Sequence, residues 1–203
     1  MYPRVLLRDT RASVAAEFAL IVPVFLMFFL GILDIGLWMW THNRAEKATQ
    51  AAVRHAAVID YVPQGLVTTN FASAYNIPSG DNVPAGTIPP ITCGGSLGST
   101  CDSFGWDGTA YAAILARAQQ QFPNLTTANL RLRYEHVGLG YAGDPNGSDV
   151  SPVVTVEIVD NGPDNRLFQP IFLGLLMPNG FSMTGIASSM TMEDGEGDIS
   201  YSA

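Results

Sequence analysis

Glu17 is the first residue to account for, because it is an acid set against the longest apolar run of the chain. Glu17 lies between Ala16 and Phe18 where the run begins, and Asp34 interrupts it after sixteen uncharged residues. An acid carried to the centre of a bilayer costs about 2.5–3.5 kcal/mol, so such a group needs a partner or must reach the boundary. On position alone, Glu17 serves equally well to begin a helix, where negative charge is favourable. Cys93 and Cys101 close the stretch CGGSLGSTC, a flexible loop that a disulfide can bridge in an oxidising compartment; two unpaired thiols are the alternative. A metal site there is disfavoured, since no His or further Cys lies near in sequence.

The remaining reactive groups do not assemble into a catalytic pattern. His42, His55 and His136 are the only imidazoles, and no HExxH, G-x-S-x-G or Walker loop accompanies them. His136, following Glu135 on an expected strand, reads as an exposed sheet residue. Acid-rich stretches at residues 144–149, 160–164 and 193–198 lack the ordered EF-hand spacing and read as solvated turns, with EDGEGD at 193–198 the first place to look for calcium. The expectation is a protein that is not an enzyme and uses no cofactor and no metal, although a hydrolase built on facing carboxylates stays open.

The elements that must position these residues begin with the apolar run itself. FALIVPVFLMFFLGIL, residues 18–33, carries no charge, and IGLWMW extends it past Asp34 to Trp40. At about 1.5 Å per residue the uncharged part covers roughly 24 Å and the whole roughly 35 Å, so the run crosses a hydrocarbon core when read to the tryptophans, which favour an interface. Arg4, Arg8 and Arg11 precede it, and the positive-inside bias keeps the N-terminus cytoplasmic and sends the remainder across. No A-x-A site follows, so the run reads as an uncleaved span rather than a secretory signal. Pro23 within it is tolerable in lipid where neighbouring helices or a kink re-satisfy the backbone. Gly31 and Gly36 are small, but five residues apart, outside the small-xxx-small spacing.

Charge divides the chain. Residues 1–59 hold six Lys or Arg against four acids, whereas from Asp60 onward there are four Arg, no Lys and fourteen acids. Such a surface repels nucleic acid and anionic headgroups, so no nucleic-acid partner is expected. Ala45, Ala48, Ala52, Ala56 and Ile59 recur at helical spacing, which predicts that one helix runs from the membrane segment through residue 60 and lays an alanine stripe against a sheet of the same protein or against another subunit. Residues 63–106, rich in Pro, Gly, Ser and Asn, read as a long loop insertion. Asp107 is placed to cap a helix over residues 107–122, which Pro123 ends. Leu130, Leu132 and Tyr134 alternate with charged residues, Val154, Val156 and Ile158 with Thr155 and Glu157, and a last strand is expected over residues 181–192. Between the last two lies RLFQPIFLGLLMPNG, residues 166–180, an apolar crossover that suits a helix against the sheet or a surface meeting another subunit.

The run RASVAAEFALIVPVFLMFFLGILDIG, residues 11–36, resembles the N-terminus of TadE-like proteins, relatives of the type IVb Flp pilins. VVTVEIV and FSMTGIASSMTMED resemble the family's tail more loosely, and the middle of the chain hardly resembles it. The resemblance implies a prepilin-peptidase cut between Ala12 and Ser13, which puts Glu17 at the fifth position after the cut and Phe18 next; Ala12 stands where the family usually has Gly. It further implies that Glu17 neutralises an N-terminal ammonium inside a helix bundle, where an unpaired charge is costly. Partners implied are other pseudopilins and pilins of the Tad system, met through the helix, together with the prepilin peptidase and the inner-membrane assembly platform.

The expectation is thus an α+β protein. It has a leader over 1–12, a transmembrane and assembly helix over 13–60, and an extracytoplasmic domain over 61–203 with an antiparallel sheet of three or four strands and one further helix. It would be a minor pilin or pseudopilin acting in initiation or at the tip of a tight-adherence pilus, in the bacterial inner membrane with its C-terminal domain periplasmic, or on the cell surface in the assembled pilus. The alternatives are an unprocessed membrane-anchored scaffold or adhesin, and a membrane-anchored periplasmic hydrolase.

Overall fold

The computed structural model describes residues 10–145, 147–160, 166–175, 183 and 185–192, with the backbone alone for residues 10–13, 96 and 175. The chain divides into two compact units, one of residues 1–41 with 168–181, the other of residues 42–167 with 182–203.

The N-terminal helix α1, Thr10–Ala56, contributes to both units and continues through Pro23. In the first unit it displays its apolar residues rather than hiding them: Phe18, Leu20, Phe25 and Phe28 are all well over half exposed. Over Val14–Ala56 it is long and apolar enough to cross a membrane. Among the described residues, the second segment of this unit includes a 3-10 turn, Leu173–Leu175, inside the apolar crossover. Among the described residues of that crossover, 166–175, no α-helix forms, and residues 176–180 lie outside the described residues.

The second unit is α+β. Its sheet is a four-stranded antiparallel meander, β1 (Ile91–Gly94), β2 (Leu130–Glu135), β3 (Val153–Ile158) and β4 (Ile186–Thr191), lying in chain order. The register stacks Cys93 on Leu132, Leu132 on Val156 and Val156 on Ser188, so one residue in two along β2 and β3 turns inward. Leu130, Leu132, Tyr134, Val154, Val156 and Ile158 are accordingly buried, the period-two consequence of a sheet covered on one face. The outer face carries Arg131 and Glu157, directly opposite each other and 2.7 Å apart.

The C-terminal part of α1 covers the inner face. Ala45, Ala48, Ala52 and Ala56 are fully buried, and Thr49 Oγ1 lies 3.0 Å from Ser188 Oγ on β4. The alanine stripe therefore packs on this protein's own sheet, and α1 ends at Ala56, short of residue 60. Helix α4, Gly108–Gln119, buries Ala110, Tyr111, Ile114 and Ala118, and Asp107 caps it by accepting from the Thr109 and Ala110 N–H groups. Arg44 of α1 donates to the Gln121 carbonyl at 3.0 Å and sits over the Phe122 ring.

Residues 63–106 depart from the expected loop. They form two one-turn helices, α2 (Gly65–Thr68) and α3 (Phe71–Ala74), a 3-10 turn at Gly95–Leu97, and the edge strand β1. Leu66 and Phe71 are fully buried, so two isolated apolar residues in a polar stretch anchor it to the core. The last strand lies within the expected span, at Ile186–Thr191; residues 181, 182 and 184 of that span lie outside the described residues.

Candidate functional site

Of the six residues singled out for a role, Glu17, Phe18, Cys93 and Cys101 are described fully, and the first two are exposed on α1. Ala12 and Ser13 lie in the first turn of that helix, with their side chains outside the described residues; the leader over residues 1–9 and EDGEGD at 193–198 also lie outside them. Glu17 thus stands on an open helix face with apolar residues on every side: Val14, Phe18, Leu20 and Ile21 are each more than 60% exposed. A charge so placed is available to a group brought by another helix.

Cys93 and Cys101 are joined by a disulfide, Cα to Cα 4.2 Å. It ties β1 to the segment leading into α4, and backbone hydrogen bonds reinforce it, with the Gly94 N–H donating to the Thr100 carbonyl. Gly94 has φ 72°, and a Cβ there would lie 2.6 Å from the Tyr111 ring, so only glycine fits without moving the ring. The Tyr111 hydroxyl donates to the carbonyls of Leu130 and Thr127 at 2.8 and 3.0 Å, which pins α4 to β2 behind the bridge.

Asp34 is the second acid of the apolar run, and it is fully buried. Its carboxylate accepts three consecutive backbone N–H groups, from Ile171 at 3.0 Å on Oδ1 and from Phe172 and Leu173 at 2.8 and 2.6 Å on Oδ2. Successive amides converging on an anion make a cradle for negative charge. Gly31, one turn earlier on the same face, leaves the helix surface low: a Cβ there would touch Leu173 Cδ2 at 3.7 Å. The apolar crossover and the acid of the apolar run, two anomalies 137 or more residues apart, answer each other. Each alone was visible in the sequence; only the fold pairs them.

Two further described carboxylates, Asp149 and Asp102, also cap backbone. Asp149, in a turn expected to be solvated, is 4% exposed and accepts from the Phe71 and Asp144 N–H groups at 2.7 and 2.9 Å. It fixes the start of α3 to the β2–β3 connection. Asp102 accepts from the Thr92 N–H at 2.8 Å. His136 is buried rather than exposed, with Nε2 2.9 Å from the Val83 carbonyl, because it sits just beyond β2 under the 63–106 segment. Among the described residues no group of His, Cys, Asp or Glu is placed to hold a metal ion. A cleft of about 440 Å³ between the end of α1 and α4 is lined by Ala51, Arg54, His55, Ala113, Arg117 and Gln120. No carboxylate, thiol or hydroxyl lines it.

Burial governs the titration of the tyrosines. Removal from water pushes the Tyr61 and Tyr111 phenols up to about 12, and fully buried Tyr134 is raised as well. These groups are structural: the Tyr61 hydroxyl donates to the Val150 carbonyl at 3.1 Å.

Residues 12–54 match the model of the family described as TadE-like protein. The matched segment covers the first turn of α1 through nearly its last, including Glu17, Phe18, Asp34 and, of the alanine stripe, Ala45, Ala48 and Ala52. The comparison with curated proteins and the comparison with solved structures each gave no significant match.

Proposed function

From the TadE-like character of residues 12–54 we propose that this protein is a non-enzymatic minor pilin or pseudopilin of a tight-adherence, type IVb pilus system. The observation that carries the reading is the exposed Glu17–Phe18 pair at the head of a long helix on which Val14, Leu20, Ile21, Phe25 and Phe28 are each more than 60% exposed. Before assembly, that surface is solvated by the inner membrane, with the N-terminus cytoplasmic and the disulfide-bearing domain on the oxidising side. On assembly the same surface packs against the helices of partner pilins and pseudopilins, on the inner-membrane platform.

Glu17 then has a definite task. Cutting between Ala12 and Ser13 creates an ammonium at Ser13, and in a water-poor bundle that charge needs a counter-ion. Glu17 lies four residues along the helix from Ser13, on the same face, and offers its carboxylate to its own ammonium or to a neighbour's. The buried alanine stripe leaves the membrane half of α1 as the assembly surface, while the acidic domain is presented outward at a tip or in the assembly machine.

The experiment is the intact mass and N-terminal sequence of the protein recovered from membranes with and without the prepilin peptidase. A peptidase-dependent start at Ser13 is expected. A chain that begins near Met1 in both samples overturns processing and leaves an unprocessed anchored scaffold.

A further inference from the structure

We propose that the turn formed by Ile171, Phe172 and Leu173 is a second membrane-contacting element, seated in the lipid acyl chains beside α1 and held there through its backbone by Asp34. The proposal rests on the reading of α1 as a membrane anchor and adds to it an element that hydropathy of the helix alone does not reveal.

Depth is the first argument. Asp34 stands sixteen residues, or roughly 24 Å, along α1 from Phe18, and six residues, or roughly 9 Å, before Trp40. The residues flanking it on the helix, Ile32, Leu33, Ile35 and Leu37, are apolar and 41–53% exposed. A segment hydrogen-bonded to Asp34 therefore lies at a level where α1 itself asks for hydrocarbon. Whatever covers those side chains also meets the turn.

Composition and exposure are the second. Ile171 is 67% and Phe172 40% exposed, so the turn directs its apolar side chains away from α1 while Leu173 lies over Gly31. A water-facing loop has no reason to display Ile and Phe beside a span of the same character.

Backbone chemistry is the third. Non-helical backbone at membrane depth is tolerated only where its polar groups are satisfied within the protein, each orphan costing several kcal/mol. Three successive N–H groups of this turn find their acceptor on a single carboxylate. The same bonds solve the converse problem, since an acid in an apolar span also requires partners. An exposed aqueous loop would need neither remedy.

The test uses the full chain in phosphatidylethanolamine–phosphatidylglycerol vesicles, with an environment-sensitive fluorophore on a single introduced cysteine; Cys93 and Cys101, being disulfide-bonded, do not take the label. Ile171→Cys is compared with Leu26→Cys inside the span and Val137→Cys on the sheet unit, using spin-labelled lipid and aqueous iodide as quenchers. Position 171 is expected to follow position 26, quenched by lipid and shielded from iodide, and to lose its lipid quenching when Asp34→Ala is added, while position 26 is unchanged. Asp34→Asn, which keeps one acceptor of the same shape, should give a partial loss. If position 171 follows position 137 while position 26 stays lipid-quenched, the turn is aqueous and the proposal fails with the anchor intact. If position 26 is itself open to iodide, the anchor reading fails and this one with it. If Asp34→Ala leaves position 171 in lipid, Asp34 is not what holds the turn.

Discussion

Leu20 and Phe28 stand 76% and 71% exposed on α1, whereas Ala45, Ala48, Ala52 and Ala56, further along the same helix, are wholly covered. The larger and more apolar side chains are the ones left open. Inside a folded domain that order would be inverted, because burying a Leu or Phe gains far more than burying an Ala. On the proposed reading the N-terminal half carries bulk because lipid is its solvent, and the sheet half carries methyl groups because close approach to a strand requires a smooth helix surface. Size, more than hydrophobicity, separates the two regions.

The comparison is sharpened most strongly at the disulfide, which belongs to the sheet region alone. Cys93→Ser with Cys101→Ser should lower the unfolding free energy of the full chain in detergent by about 2–4 kcal/mol, followed by urea titration of Trp106 emission, while protease protection of the span in vesicles is unchanged. Loss of both together would mean that the two regions do not fold separately.

Exchanging the two kinds of side chain is the next test. Ala52→Leu forces a branched side chain between α1 and the sheet and should cost the domain about 1–3 kcal/mol, whereas Phe28→Ala should change domain stability by no more than about 0.5 kcal/mol. Equal effects in the same urea titration would erase the distinction.

Alkaline titration separates the regions more gently. The described part of the span contains no tyrosine, while Tyr61, Tyr111 and Tyr134 are buried in the sheet unit with raised pKa values, about 12 for the first two. Above pH 10 the unfolded chain loses phenol protons that the folded domain retains, so stability is complete below pH 10 and falls as pH rises toward 12. The slope is on the order of 1 kcal/mol per pH unit for each such tyrosine. Domain unfolding by urea at stepped pH should show this fall; a flat profile from pH 9 to 12 would contradict the burial of these phenols.

Much of this architecture was legible in the residues. The helix-cap pattern at Asp107, the alternation along Leu130–Glu135 and Val153–Ile158, and the alanine spacing all encode their elements locally, because period and capping are short-range signals. β1 was not legible. Ile91–Gly94 is four residues long and ends in glycine, and its strand character comes from pairing with β2 and from the bridge to Cys101. The role of Asp149 was hidden for a related reason, since its partners Phe71 and Asp144 lie 78 and 5 residues away and an acidic turn looks solvated until something is laid over it. Of the candidate site, Glu17 stood out by position, whereas the answer to Asp34 lay 137 to 139 residues further on.

That last separation also fixes an order of events in time. A chain is made from its N-terminus, so α1 is complete and able to enter the membrane well before its partner turn exists. At about 5–20 residues per second, the interval between synthesis of Asp34 and of Ile171 is roughly 7–27 s. Throughout it the carboxylate lacks these three N–H donors, and the newborn helix must keep Asp34 in contact with water, headgroups or a membrane insertion factor. Closure of the three hydrogen bonds can come only after Leu173 has emerged.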